Sequence, residues 1–483
     1  MKKNQLLSFV AKDTFLYGLG LSFNNLIAFA LLPILIRHYS VIEFGTIDFY
    51  LTLLLFLTVL ITFGLDSSLA RFFYDVDTDK ERKEVVNQSL LTLLIFLMII
   101  ITTFWLFHDS LNFLLLSNSS SVILIKLILL QAPFLILIDF SLNLLKWTFS
   151  RNKFIFLSVG SSFSYFFTVF IAIYYYDINV QNLFLIGIFV KLIWSIVAIY
   201  FIRQWLRIPK KINYILNILK FATPIGLIGI SDIFLKVFQR SIIKNFHGEE
   251  SLGLFAAAIK ISLIMLFFAQ AFQTTWGPLS LSIYKEKYST EIFSIILKIF
   301  VIIGSILVLF ISAFAKPIMI LVSEKYIHSS ILTFPLLMSV FIMSVGRITE
   351  IGINFSKKTY LNLYSYGLFV IYGSFFIYIF SNYFGLYGVA IAILLAYLFQ
   401  VIITTIFSQK AYNIKWPFKS NTIIICLTLV IGFFANFIEY KYEWIFAMLS
   451  ILFGIIILIF FSWFVFLKLN ERILIKKIFN NSE

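Results

Sequence analysis

The chain has 483 residues, of which 61% are hydrophobic and only 13% are charged. Soluble globular domains carry about 25% charged residues, so this composition excludes a soluble protein and predicts that most of the chain faces lipid or other membrane helices. The single Cys426 excludes a disulfide framework and a cysteine-based zinc site, and no cofactor is expected.

Fourteen apolar segments of about 20 residues follow one another along the chain, and each is long enough to cross a bilayer. The predicted spans are 14–36, 45–65, 89–107, 121–145, 155–176, 182–202, 221–243, 253–275, 291–315, 327–346, 360–381, 384–408, 420–438 and 443–467. The first is too long for a signal-peptide core, and we interpret it as a retained helix. The predicted fold class is an all-α polytopic membrane protein with about fourteen transmembrane helices.

The net charge of +15 is explained by membrane orientation and does not indicate a nucleic-acid partner. With the N-terminus in the cytoplasm, the predicted cytoplasmic stretches hold 27 of the 38 basic residues, and the outer loops hold five. This asymmetry predicts that both termini are cytoplasmic. No connecting segment is long enough to fold into a soluble catalytic domain, which favours a transporter over an enzyme.

An internal repeat appears when the chain is shifted by 208 residues, so that the first span falls on the seventh. The matched pairs are Lys12 with Lys220, Gly18 with Gly226, Asn24 with Asp232, and Gly45 with Gly253. Both copies begin on the same predicted side of the membrane, which is typical of a parallel repeat with a substrate cavity between its halves. We therefore predict two six-helix lobes, 1–210 and 211–410, related by a pseudo-twofold axis along the membrane normal. Residues 411–483 would form an appended helix pair and a basic cytoplasmic tail.

The seventh span carries three charged residues, Asp232, Lys236 and Arg240, at helical spacings of four. They share one face of the helix, and each charge at the centre of a span costs about 2.5–3.5 kcal/mol on insertion scales. Two interpretations remain open. The face either lines a polar transport cavity, or Asp232 and Lys236 form an ion pair that only makes the helix insertable.

Several loosely defined motifs occur in the same order as in polysaccharide flippases. They are KDTFLYGLGLSFNNLIAFALLPILIRHYSVIEFG near the N-terminus, FGLDSSLARFFYD at 63–75, QAFQTTWGPLSLSIYKEK at 270–287 and NYFGLYGVAIAILLAYL at 382–398. Over nearly its whole length the chain resembles the oligosaccharide (Wzx-type) flippase branch of the multidrug/oligosaccharidyl-lipid/polysaccharide exporter superfamily.

The resemblance implies two six-helix lobes around a cationic cavity, in the cytoplasmic (inner) membrane of a bacterium. It also implies a substrate, undecaprenyl-pyrophosphate-linked oligosaccharide, flipped to the outer leaflet for O-antigen, lipopolysaccharide or capsule synthesis. A polysaccharide polymerase and a chain-length regulator are possible protein partners.

Such a substrate needs cations for its phosphates and hydrogen-bonding groups for its sugars. The candidate substrate-binding residues are Lys236, Arg240, Lys260, Lys191, Asn24 and Asn25. For the two asparagines, a sugar contact and a hydrogen bond between helices are equal alternatives.

Two carboxylates within predicted spans, Asp139 and Asp232, are candidates for coupling transport to a proton or sodium gradient. No phosphate-binding loop of the ATPase type occurs in the sequence. Asp139 has no cation within one helical turn, so it is the stronger proton candidate; an ion pair with a neighbouring helix is its alternative. The four histidines do not occur at metal-ligand spacings, and no metal site is expected.

Four further charged residues near span ends are candidates for gates or interfaces: Arg37, Arg71, Arg347 and Glu350. Anchoring at the membrane surface explains the first two arginines equally well.

Two other classes of function, transport of a different cargo and enzymatic polysaccharide synthesis, remain as alternatives. A multidrug/cation antiporter or a lipid II-type flippase would keep the fold and change the cargo. A membrane polysaccharide polymerase or ligase would typically need a long outer loop, and the predicted outer loops have about a dozen residues or fewer.

Overall fold

A computed structural model describes residues 23–24, 26–110, 122–209, 212–286, 288–356 and 358–467. Every regular element in these ranges is a helix, which confirms the predicted all-α class. Asn25 lies outside the described residues, as do both chain termini.

The described residues in the first part of the chain form eight α-helices. They are α1 (Leu26–His38), α2 (Val41–Thr62), α3 (Leu65–Asp75), α4 (Asp79–Leu106), α5 (Val122–Trp147), α6 (Arg151–Tyr176), α7 (Val180–Ile202) and α8, the 215–247 part of a longer helical segment, Ile215–Ile283. A non-helical Gly248, with φ 85°, separates α8 from α9 at 249–283.

The remaining helices are α10 (Ser289–Ala313), α11 (Ala315–Val322), α12 (Ser330–Thr349) and α13 (Ile351–Ser356), followed by a second long segment, Tyr360–Ala411. Gly385, with φ 60°, divides that segment into α14 at 360–384 and α15 at 386–411. The last two α-helices among the described residues are α16 (Phe418–Lys441) and α17 (Trp444–Phe461).

The starts of α2 and α4 are set by the same local chemistry. Ser40 and Thr78 each accept a hydrogen bond from the backbone of a glutamate three residues later, and that glutamate accepts one from the backbone of the cap residue. This reciprocal capping satisfies backbone N–H groups that a helix start otherwise leaves without partners.

Eleven helices of the described chain are long and apolar enough to cross a membrane. Two of these, within Ile215–Ile283 and Tyr360–Ala411, each cover two predicted spans joined at a glycine. The shorter α1 overlaps the first predicted span. The protein is therefore a multi-pass membrane protein, and its helices are consistent with fourteen crossings without establishing that number.

The helix boundaries follow the 208-residue offset closely. Adding 208 to the bounds of α5, α6 and α7 gives 330–355, 359–384 and 388–410, which are close to the observed α12–α13, α14 and α15. The offset therefore relates three successive helices in the two halves of the chain, a longer match than the sequence identities alone provide.

The chain divides into two compact units, Met1–Gly253 and Leu254–Glu483. We call them the first and second units. The first unit includes α8, whereas the predicted six-helix lobes divide the chain at 210/211. The lobe boundaries stay a prediction.

Candidate functional site

The charged face predicted on the seventh span is present on α8. Asp232 and Lys236 form an ion pair in which Oδ2 and Nζ are 2.6 Å apart. The Lys236 side chain is 40% exposed and that of Asp232 is 24% exposed. Lys236 therefore has a partly exposed side chain within a membrane helix, with its ammonium paired to Asp232.

Arg240 has a different environment from Lys236. Its Nε donates to Asp48 Oδ2 at 2.8 Å, and the two side chains are only 5% and 2% exposed. Its Nη1 also donates to the backbone oxygen of Lys236 at 3.0 Å. In this conformation the guanidinium therefore bonds to Asp48 on α2 and to the backbone of α8. Contact between Arg240 and substrate phosphate stays a prediction, and it requires the Asp48–Arg240 pair to separate.

Asp48 is a site residue that sequence reasoning missed. It is a carboxylate inside the predicted second span, 45–65, and a charge at such a position is itself a signal of a partner or a site. Its spacing of 192 residues from Arg240 left no local pattern to identify that partner.

A second polar site lies between α5, α6 and α7 of the first unit. Asp139 on α5 lies within electrostatic range of Lys191 on α7 and of Asp66 at the start of α3. The Lys191 Nζ lies 5.5 Å from the ring centre of Tyr165 on α6. Asp139 thus has a cation on a neighbouring helix, and both its role as a proton carrier and the alternative of an ion pair stay predictions.

We expect the Asp139–Lys191 interaction to show in stability measurements. Lys191→Met removes the cation that faces Asp139 and should lower the apparent melting temperature by about 4–8 °C, corresponding to about 2 kcal/mol. Adding Asp139→Asn should restore most of that loss, because removing both charges avoids an unpaired one. A double variant as unstable as Lys191→Met in detergent-purified protein contradicts the interaction.

Asn24 on the first predicted span binds another helix. Its Nδ2 donates to Ser158 Oγ on α6 at 2.5 Å, while its Oδ1 is buried without a hydrogen-bond partner. The Gln131 Oε1 on α5 is also a buried acceptor without a partner. The amide of Asn24 therefore serves an interhelical bond, and its free acceptor remains available for a water or a substrate hydroxyl.

Three further predicted site residues are Lys260, Arg37 and Arg71. Lys260 is half-buried on α9 in the second unit, and Arg37 is exposed near the end of α1. Arg71 forms an exposed pair with Asp75 at 3.1 Å, which fits surface anchoring.

Arg347 and Glu350 form a pair near the end of α12, with the closest atoms 3.8 Å apart. They line a small open pocket in the second unit together with Tyr366, Gln400 and Thr404. The Arg347 guanidinium carbon lies 6.0 Å from the Tyr366 ring centre. These contacts place both predicted gate residues in one polar cluster within that unit.

Comparison with known proteins identifies the family. The profile described as "Polysaccharide biosynthesis protein" matches residues 10–282, which is more than half of the chain. No curated protein sequence matches this chain.

Solved membrane transporters share the fold. A structure of the lipid II flippase MurJ in an inward closed conformation is 17% identical, covers 93% of this chain and 98% of its own, and has a TM-score of 0.70. An inward-facing multidrug resistance MATE transporter of the MOP superfamily is 19% identical, with coverages of 80% and 94% and a TM-score of 0.57. A Vibrio cholerae MATE transporter is 15% identical, with coverages of 84% and 97% and a TM-score of 0.56.

The predicted all-α, multi-pass fold is thus confirmed by the helices and by the solved structures that share it. The chain belongs to the polysaccharide biosynthesis protein family and shares its fold with the lipid II flippase MurJ and with MATE transporters.

Proposed function

We propose that the protein flips undecaprenyl-pyrophosphate-linked oligosaccharide units from the cytoplasmic to the outer leaflet of a bacterial cytoplasmic membrane. O-antigen, lipopolysaccharide and capsule are the glycan classes that such units supply. The family match supports a role of this protein in polysaccharide synthesis. The observation that carries the finer proposal is the partly exposed Lys236 side chain on α8, paired only with a carboxylate one turn away that is itself partly exposed.

The chemistry of Lys236 suits transient anion binding. Its partner Asp232 lies one turn away on the same helix, and both side chains are partly exposed, so their attraction is screened. A pyrophosphate carries more negative charge than one carboxylate and can compete for the ammonium. An ammonium is also a compact point charge that releases phosphate more readily than a bidentate arginine fork.

Transport without ATP needs a gradient, and the proposal assigns its coupling to Asp139 or Asp232. Asp139 interacts with Lys191, whereas Asp232 interacts with the proposed substrate cation itself. Binding of a proton or sodium ion at Asp232 would free Lys236 for phosphate. Both termini would be cytoplasmic, and a polymerase and a chain-length regulator would receive the flipped unit.

The proposal is tested in a deletion strain complemented with variants. We expect Lys236→Ala to lower surface polysaccharide at least tenfold and to cause its lipid-linked precursor to accumulate on the cytoplasmic side. Lys236→Arg keeps the charge and should retain part of the function. Lys126→Ala is the matched control, because the Lys126 ammonium lies 5.8 Å from the centre of the Trp105 ring rather than in a carboxylate pair on α8; it should resemble wild type.

Unchanged surface polysaccharide in Lys236→Ala, at normal protein level, contradicts the assignment of Lys236. The same strain separates the alternative cargoes. Lipid II accumulation in the deletion strain would indicate a lipid II-type flippase, and drug sensitivity with intact surface glycan would indicate an antiporter.

A further inference from the structure

The ends of α6 and α7 that the sequence predicts to be cytoplasmic carry two cations that lie over aromatic rings. The Lys153 Nζ near the start of α6 is 5.9 Å from the ring centre of Phe201 on α7. The Arg203 guanidinium carbon, directly after α7, is 4.1 Å from the ring centre of Tyr200. Both distances lie within the range of about 6 Å over which a ring face attracts a cation. The rings therefore position the two charged groups and leave their N–H donors for another partner.

Both cations are exposed, and neither forms an ion pair with a carboxylate among the described residues. Residues 140–176 and 178–231 contain no aspartate or glutamate, so α6, α7 and the segment after α7 supply no acid. By contrast, Arg71 on α3 and Arg82 on α4 each pair with an acid on their own helix. Lys153 and Arg203 thus present positive charge that no neighbouring carboxylate offsets.

A connected group of aromatic rings lies beside these cations. The ring centre of Phe156 on α6 is 5.9 Å from that of Phe201 and 5.5 Å from that of Trp194, both on α7. Phe201 in turn lies 6.2 Å from Tyr200. A Cβ on Gly160 would overlap the Trp194 ring, so this ring packs directly on the backbone of α6. Phe156 and Tyr200 nevertheless remain 57% and 56% exposed, which leaves an aromatic surface open across both helices.

The exposed apolar surface continues from the cations to a depth of about one leaflet. From 153 to 163 α6 rises about 15 Å at 1.5 Å per residue, and from 203 back to 193 α7 covers the same depth, which is about half of the hydrocarbon core. Phe163 and Ile193, at the far end of these stretches, are 54% and 58% exposed. Two cations above an apolar surface of this depth match the charge and the length of an anionic phospholipid.

We propose that this surface of α6 and α7 binds an anionic phospholipid of the inner leaflet. Its phosphate contacts Lys153 and Arg203, and its acyl chains lie on the aromatic and aliphatic side chains below them. A zwitterionic headgroup binds less well, because its own ammonium is repelled by the two cations. Both cations are exposed and therefore bind weakly, which suits an abundant membrane lipid rather than a scarce polyprenyl carrier. The site does not depend on which cargo the protein moves.

The test uses the full-length protein in phosphatidylcholine nanodiscs that contain a trace of phosphatidylglycerol with a photoreactive acyl chain. The same photoreactive chain on phosphatidylcholine gives the reference, and the labelled peptides are mapped by mass spectrometry. We expect peptides covering 153–163 and 193–203 to be labelled at least about fivefold more by phosphatidylglycerol, since one basic side chain near an anionic lipid contributes about that factor. Lys153→Gln combined with Arg203→Gln should bring the labelling ratio close to one.

Lys80→Gln combined with Lys419→Gln is the matched control. Both lysines are exposed and predicted to be cytoplasmic, so the net charge falls equally, and the labelling ratio should stay at the wild-type value. Equal labelling by the two lipids in the wild type, or an unchanged ratio in the Lys153 and Arg203 double variant, overturns the proposal. Loss of the labelling on addition of a far smaller amount of a polyprenyl pyrophosphate also overturns it, because the occupant is then the carrier lipid. The measurement needs no transport, so its result is separate from that of the flippase test.

Discussion

Arg240→Ala should destabilise the protein far more than Lys236→Ala, although both remove a cation from α8. The substitution takes away the guanidinium that pairs with the Asp48 carboxylate, which is 2% exposed inside the membrane. Breaking a buried ion pair from one side costs about 3–5 kcal/mol. We expect a sharp fall in the amount of monodisperse protein recovered in detergent and in its apparent melting temperature.

The matched control for Arg240→Ala removes both charges. Asp48→Asn with Arg240→Gln should recover most of the stability, because two neutral amides leave no buried charge behind. Lys236→Ala, whose lysine is 40% exposed, should change stability little. Equal melting temperatures for Arg240→Ala and Lys236→Ala would show that the buried pair has no structural role.

Gly253→Val should prevent normal folding of the first unit. Even one added carbon at this position overlaps the Val41 carbonyl oxygen, and a backbone atom cannot move aside as a flexible side chain can. The expected result is loss of folded protein, measured as the ratio of monodisperse to aggregated material after solubilisation.

Gly367→Ala is the matched control for Gly253→Val. Gly367 lies within α14 with nothing within 4 Å of an added Cβ, and alanine favours a helix by about 1 kcal/mol over glycine. Its folded yield should equal or exceed wild type. If Gly253→Val gave a yield like that of Gly367→Ala, the Val41 carbonyl oxygen would not lie as close to Gly253 as the structure shows.

Sequence reasoning identified the helical class and the charged α8 because both depend on local signals. Apolar length predicts a span, and the four-residue spacing of Asp232 and Lys236 predicts their pairing, which the structure shows at 2.6 Å. The 208-residue offset also matches the bounds of helices in which few residues are identical, because membrane thickness sets helix length in both halves of the chain.

The contacts between distant segments could not be predicted in the same way. Asp48 with Arg240, Asn24 with Ser158 and Asp139 with Lys191 each join different helices, and no spacing rule links them. The packing of α8 on α2 depends on glycines whose use as contact points is not visible in a single sequence. Gly248 was likewise within a predicted loop, whereas the helix resumes immediately after it.

The offset also places residues of opposite charge at equivalent positions. Asp139 on α5 corresponds by number to Arg347 on α12. Each has an oppositely charged residue within electrostatic range in its own unit, Lys191 for Asp139 and Glu350 for Arg347. The two halves therefore use one helix position for different chemistry, as they also do in the matched pair of the neutral Asn24 and the acidic Asp232.

The Asp48–Arg240 pair has a consequence for biosynthesis. The residues are 192 positions apart, and at about 5–20 residues per second Arg240 is made about 10–40 s after Asp48. During that interval α2 must hold a carboxylate in the membrane before its arginine has been synthesised. The nascent chain then needs water, a proton or an insertion factor at Asp48, and the ion pair forms only after α8 enters the bilayer.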